Sequence, residues 1–311
     1  MIRNTPRSFT GIQIFVADLL KPFLCPRIEL APKGYPTENT WKATTNRPLT
    51  TAPPEFSDIV RLACLEVWGG NRRVNHAVEL PGLGGWIYSD PVERADLGGD
   101  VHYISVCSNG IISRFALADV SGHGRSSSVA AQLLRKLIRK HINTWDQSEL
   151  MRELNESLRS GKKKGEQYAT AALFAYCRPT RELVFTNAGH PPALWYHAKT
   201  NTWDWLEPAT PFARSIEGVP LGLIPGTTYV QVAVRLDLDD ILILYTDGIT
   251  EATDTRGHML EADGLMDIIR NLPVDLPAPM ADRLLAAMQA FRGNAPREDD
   301  QSFFILRQLE S

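Results

Sequence analysis

Apolar residues in this chain gather into short, nearly continuous runs, and several of these runs end on an aspartate or a glycine. Val101 to Ser108 and Ile111 to Val120 both read as strands, with Asn109-Gly110 between them. Asn-Gly between two apolar runs is a strong hairpin signal, because both residues tolerate positive φ. Further strands are expected at Ala169 to Cys177, Glu182 to Thr186, Ala193 to His197, Tyr229 to Leu236, Ile241 to Tyr245 and Ser302 to Leu309. A 3.6-residue period marks Ser126 to His141 as a helix, with Val129, Leu133, Leu134, Leu137 and Ile138 inward. Ser148 to Leu158 repeats that pattern through Leu150, Met151, Leu154 and Leu158, and Gly264 to Leu272 and Met280 to Phe291 are also helical. Ile59 to Trp68 fits helix or strand equally, and Gly69-Gly70-Asn71 ends it.

Strands, two helices, strands, two helices and a last strand make an α+β arrangement. The expected architecture is a four-layer α-β-β-α sandwich: two antiparallel sheets packed face to face, with helix pairs outside.

The first part of the chain breaks this order. Residues 1–58 carry Pro22, Pro26, Pro32, Pro36, Pro48, Pro53 and Pro54 with no sustained periodicity. They read as a Pro-rich N-terminal extension, partly disordered, ahead of a folded domain over 59–309. Arg3 and Arg7 precede an apolar stretch from Gly11 to Leu20, but Gln13 and Asp18 interrupt it and no small-residue cleavage site follows, so a signal peptide is not expected.

Composition changes this picture little. The 311 residues are 43% hydrophobic and 22% charged, with a formal net charge of -3. Neither nucleic acid nor an anionic membrane is expected as a partner. No run of 18 apolar residues occurs, so no membrane span is expected. Cys25, Cys64, Cys107 and Cys177 form no C-x-x-C pair. Buried thiols in a reducing cytoplasm are the plain reading. The basic run Gly161-Lys162-Lys163-Lys164-Gly165 reads as a solvated flexible loop.

The chemistry lies in four short acidic patches: Gly98-Gly99-Asp100, Asp119-Val120-Ser121-Gly122-His123-Gly124, Thr246-Asp247-Gly248 and Arg297-Glu298-Asp299-Asp300. The Asn-Gly hairpin alone carries Asp100 and Asp119 to the same end. Singly, each patch could be an ordinary turn or helix cap. Together at strand ends, their carboxylates repel unless cations sit between them. Hard divalent ions favour carboxylate and carbonyl oxygen, so a two-metal hydrolytic site is expected, with Asp119 placed to bridge and the Val120 carbonyl as a further hard donor.

The patches occur collinearly with Tyr168-Ala169-Thr170, Asn187-Ala188-Gly189-His190-Pro191-Pro192 and Tyr245 to Glu251. Over about residues 76–309 this series resembles the metal-dependent (PPM, type-2C) serine/threonine protein phosphatases, in their bacterial SpoIIE/RsbU-like branch. The resemblance implies a phosphoserine/phosphothreonine phosphatase using two divalent cations, Mn²⁺ or Mg²⁺. Asp100, Asp119 and the Val120 carbonyl would hold one cation; Asp119, Asp247 and Asp299 would hold the other. Asp299 is preferred to Asp300 because it matches the first aspartate of the family's closing pair. A water activated between the cations would attack phosphorus, so Asp119 is catalytic through the metals. Family members outside the branch carry a histidine two residues after the bridging aspartate, where this chain has Ser121. His123 could instead protonate the leaving alkoxide, or be a turn residue. His190 reads as structural, holding its loop by hydrogen bonds. After Gly-Gly-Asp this chain has Val101-His102-Tyr103 where the branch often has an aromatic, Tyr and Asp, so an outer carboxylate is missing.

The implied partner is a phosphorylated regulatory protein, typically an anti-sigma-factor antagonist in a cytoplasmic partner-switching pathway, and a homodimer is possible. By resemblance, the helices at 126–141 and 148–158 could also form a switch that moves the site's loops, although they are equally ordinary packing helices. Two other readings compete: a non-catalytic binding or scaffold protein on the same fold, and hydrolysis of a small phosphoester.

Overall fold

A computed structural model describes residues 59–62, 67–92, 97–107, 110–122, 125–141, 146–160, 168–206 and 218–310. The N-terminal extension, the basic loop at 161–165 and His123 lie outside the described residues.

The seven-stranded sheet takes β1 (Ile59–Arg61), β3 (Val74–Leu80), β4 (Leu83–Asp90), β13 (Gln301–Gln308), β12 (Ile241–Tyr245), β9 (Leu194–His197) and β10 (Thr202–Trp205), in that spatial order. The six-stranded sheet runs β11 (Gln231–Arg235), β8 (Glu182–Ala188), β7 (Ala169–Cys177), β6 (Ile112–Val120), β5 (Val101–Cys107) and β2 (Val67–Gly70). Pairing is antiparallel apart from β1 on β3, which is parallel. The helices are α1 (Arg125–His141), α2 (Gln147–Ser160), the short α3 (Asp247–Thr250), α4 (Glu261–Asn271) and α5 (Pro277–Arg292).

The strands read as continuous apolar runs because both faces of each sheet are covered. Leu83, Ile87, Leu242, Leu244, Phe304 and Leu306 of the larger sheet meet Ile104, Phe115, Leu117, Phe174 and Leu183 of the smaller one in the central core. The alternate residues face out. Val101, Tyr103, Ala116, Ala118 and Leu173 bury against Leu134, Ile138, Leu150, Met151 and Leu154 of α1 and α2. On the opposite side, Ile243, Tyr245, Phe303 and Ile305 pack on Leu265, Ile269, Leu284 and Met288 of α4 and α5. Four α-β-β-α layers result.

Several details depart from the pattern-based expectation. The undecided stretch 59–68 splits, giving β1 to one sheet and β2 to the other. The hairpin β3–β4 was not foreseen, although Pro81-Gly82 signals it and Gly82 takes φ +79°. β10 was also missed. On α1, Val129 is 61% exposed, and Ala130 and Ala131 turn inward instead. Alanines carry too little hydrophobic signal to win over Val129 on pattern alone.

Candidate active site

The acidic patches meet at one end of the sandwich. β5 and β6 pair with Val101 opposite Ala118, so Asp100 and Asp119 lie at the same end of that hairpin. β12 and β13 pair with Tyr245 opposite Phe303, which brings Asp247 and the 299–300 pair together on the other sheet. Along β5 and β6, Ile104, Phe115 and Leu117 face the central core. Strand alternation puts Asp100 and Asp119 on that same inter-sheet side.

Asp300 organises the contact between the two sheets. Its Oδ1 accepts from the Val92 N–H at 2.6 Å and its Oδ2 from the Gly99 N–H at 2.5 Å. The side chain is 7% exposed, so these bonds are shielded from water. The glycines follow from this close fit. A Cβ on Gly98 would stand 2.4 Å from Asp300 Oδ2, and one on Gly248 would stand 1.9 Å from the Asp300 carbonyl oxygen. Neither position has room for a side chain. A Cβ on Gly99 would stand 3.1 Å from the Val120 carbonyl oxygen and 3.3 Å from Asp119 Oδ1, which locates the Gly-Gly turn against the end of β6.

Thr246 makes a second bridge. Its hydroxyl donates to Asp100 Oδ2 at 2.9 Å and accepts from the Ser302 N–H at 3.0 Å. The Asp100 carboxyl is thereby tied to both strands of the other sheet's central pair. Asp247 opens α3, with Oδ1 accepting from the Gly248 N–H at 3.0 Å. Asp299 Oδ1 accepts from the Asp300 N–H at 2.8 Å. Each of these two local bonds uses one oxygen of the carboxylate.

Electrostatics records the crowding. Burial, and then the charges of Asp100, Asp247, Asp299 and Asp300, push the Asp119 carboxyl up to about 10. Burial holds Asp100 well above the usual carboxylate range, with the charges of Asp300 and Asp247 adding to the rise and the Ser302 and Thr246 hydroxyls opposing it. Asp247 is raised too, by burial first and by Glu251 second. The carboxylates stand in electrostatic reach of one another without being closed on a point. Among the described residues, no three His, Cys, Asp or Glu side chains form a ready-made cation cage.

The groups crowded here are all oxygen donors: the carboxylates of Asp100, Asp119, Asp247, Asp299 and Asp300, with the Val120 carbonyl beside Gly99. Hard divalent cations prefer such donors, and one would relieve the repulsion that raises Asp119. The residues present therefore fit Mg²⁺ or Mn²⁺ and not a soft, thiolate-seeking metal.

Around this cluster the loops are pinned. The Ser121 N–H donates to the Tyr168 carbonyl at 2.9 Å, and the Tyr168 N–H donates to Ser121 Oγ at 3.0 Å. Gly122 follows with φ +87°, a left-handed conformation that favours glycine. Thr170 pairs with Asp119 across β6–β7, and its hydroxyl lies 2.9 Å from His190 Nδ1. Asn187 closes the His190 loop on itself, accepting from the His190 N–H and donating to its carbonyl, each at 2.7 Å. Burial lowers the His190 pKa to about 3 while the Tyr245 main chain opposes this, so the ring is neutral at pH 7. A neutral, buried imidazole braces the turn.

The family profile described as Stage II sporulation protein E (SpoIIE) matches residues 113–308, well over half of the chain. The chain belongs to the SpoIIE family. It is 26% identical over 219 residues to the phosphoserine phosphatase RsbP of Bacillus subtilis (strain 168), covering 68% of this chain and 49% of RsbP. The chain spans about half the length of the curated relatives it matches. In fold it is similar to the SiaA-PP2C domain of Pseudomonas aeruginosa, with TM-score 0.61 and 18% identity over 72% of this chain and 85% of that one. It is also similar to RsbX in complex with magnesium, with TM-score 0.54 and 13% identity over 75% and 99% of the two chains.

Sequence reasoning named Asp100, Asp119, Val120, Asp247 and Asp299, and all five belong to this end of the sandwich. It did not assign Asp300 its hydrogen bonds, and it gave no role to Thr246, Ser302 or Asn71. Thr246 stood inside a quoted motif. Asn71 follows a Gly-Gly pair, which in the sequence reads only as the end of the 59–68 stretch.

Proposed function

We propose that this chain is a divalent-cation-dependent phosphoserine/phosphothreonine protein phosphatase. The observation that carries the reading is the single crowded site in which Asp119 is buried beside Asp100, Asp247, Asp299 and Asp300. Membership of the SpoIIE family and the phosphoserine phosphatase RsbP among its relatives support the same reading.

In this proposal Asp100, Asp119 and the Val120 carbonyl would hold one cation, and Asp119, Asp247 and Asp299 would hold the other. Two such cations, when bound, supply charge stabilisation for the phosphoryl oxygens and an activated water for in-line attack. The protein's own residues position and neutralise. Crowding favours a proton on Asp119 in the cation-free state, and as a carboxylate Asp119 would serve as a ligand to both cations. Asp300, with both oxygens bonded to backbone N–H groups, fixes the Gly-Gly turn and is not a ligand in this scheme. Thr246 orients the Asp100 carboxyl by donating to its Oδ2. No side chain forms a phosphoenzyme. His123 is the candidate proton donor to the leaving serine or threonine oxygen.

The magnesium complex of the structural neighbour RsbX supports Mg²⁺ as one suitable cation. The substrate proposed is a small phosphorylated regulatory protein, such as an anti-sigma-factor antagonist.

The test is turnover of a phosphoserine peptide. Activity should need Mn²⁺ or Mg²⁺ and vanish in chelator, and Asp119→Asn should abolish it while leaving the fold intact. Full activity in chelator would refute the proposal.

A further inference from the structure

Asn71 sits immediately after β2 and is 4% exposed. Its main chain and side chain together grip one residue of the Gly-Gly-Asp loop. The Gly98 N–H donates to the Asn71 carbonyl at 2.8 Å, and Asn71 Nδ2 donates back to the Gly98 carbonyl at 2.9 Å. The same amide nitrogen reaches the Ser128 carbonyl in the first turn of α1 at 3.3 Å. A carboxamide has two N–H donors, and both are used here.

The loop needs this help. Two consecutive glycines have the widest backbone freedom of any dipeptide, so the path into Asp100 is not set locally. Asp300 pins Gly99 from the larger sheet. Asn71 pins Gly98 from the smaller sheet, where Gly70 pairs with His102 at the start of β5. Gly69 allows this close approach: a Cβ there would stand 2.3 Å from the His102 carbonyl oxygen.

We propose that Asn71 is a positioning residue for the Asp100 loop, fixing that carboxyl for its cation and tying it to the first turn of α1. The inference rests on the metal-site reading above. It concerns a residue outside both the 113–308 family match and the acidic patches.

The test compares full-length wild type with Asn71→Leu, which keeps the branching of the side chain and removes both donors, and Asn71→Ser, which keeps one short donor. Mn²⁺ binding is titrated directly by the paramagnetic resonance of free Mn²⁺, without substrate. Amide hydrogen exchange of residues 97–100 is measured in chelator. Supporting residues of this kind are worth about 10- to 100-fold in metal affinity. Asn71→Leu should weaken Mn²⁺ binding by about that factor and raise exchange at Gly98 and Gly99, while turnover at saturating Mn²⁺ recovers toward wild type. Asn71→Ser should fall between, and it decides the matter on the same readouts if Asn71→Leu does not fold. Unchanged Mn²⁺ affinity and unchanged exchange in a folded variant overturn the proposal and leave the phosphatase reading standing. If wild type itself binds no Mn²⁺, the phosphatase reading fails, and the exchange data alone then decide whether Asn71 orders the loop.

Discussion

Replacing Asp300 by alanine should destabilise the protein, whereas replacing its neighbour Asp299 should chiefly cost cation binding. Asp300 accepts two hydrogen bonds from buried backbone donors, Val92 N–H and Gly99 N–H. A hydrogen bond to a charged group contributes about 1.5–3 kcal/mol, and a buried donor left unpaired costs about as much. Two bonds give about 3–6 kcal/mol. Against this, removing one carboxylate relieves repulsion on Asp119 and Asp100. A net loss of about 2–4 kcal/mol is expected, and at about 2–4 °C per kcal/mol for a domain of this size the melting temperature should fall by roughly 5–15 °C. The bond from the Asp300 N–H to Asp299 is local, and its loss should cost about 1 kcal/mol or less.

The assay is thermal and urea unfolding of both variants in chelator, repeated with Mn²⁺. Asp300→Ala should melt early under both conditions. Asp299→Ala should melt near wild type in chelator and lose the stabilisation that Mn²⁺ gives wild type. If Asp300→Ala in chelator were as stable as wild type, the account of Asp300 as the tie between the two sheets would be wrong.

Two further outcomes follow from the same geometry. Without cations, burial and the acidic neighbours raise the Asp119 carboxyl to about 10 in the folded chain, while in the unfolded chain it titrates near the ordinary carboxylate pKa of about 4. Stability from this group is therefore full below about pH 4 and is lost as pH rises toward 10. Asp119→Asn should flatten that slope in chelator and leave the cation-free protein more stable than wild type at pH 8; melting curves across pH check it, and a slope unchanged by the substitution would contradict it. Gly248→Ala would bring a Cβ against the Asp300 carbonyl oxygen, so backbone must move at the turn shared by Asp247 and Asp299. A displacement of about 1 Å can cost about 100-fold in rate, and kcat for a phosphopeptide should fall by about that factor in Gly248→Ala.

How much of this was legible before any coordinates depended on distance along the chain. The Asn-Gly hairpin is local, and it placed Asp100 beside Asp119 without any knowledge of the rest. The apolar runs showed which strands are covered on both faces, and the helical periods showed what covers them. Pro81-Gly82 carried an equally local signal for β3–β4, yet Val74 to Leu80 mixes Asn75, His76 and Glu79 among its apolar residues. The strand lies toward one side of its sheet, where partial exposure permits polar side chains and blurs the pattern.

The choice between Asp299 and Asp300 shows where local reading stops. Both are acids ahead of the same strand, and alternation says only that they face different ways. What distinguishes Asp300 is long-range: its carboxylate accepts from the Val92 and Gly99 N–H groups, about 200 positions away in sequence. Propensity and period do not encode such a long-range pairing. Glycine does carry a trace of it, because Gly98 and Gly248 are small at the two places where Asp300 presses on a neighbouring loop. A glycine beside a site aspartate therefore marks backbone packed against the site, as well as a turn. On that ground Gly69-Gly70 before Asn71 was legible as a second close approach, since Gly69 lies against His102 just past Asp100.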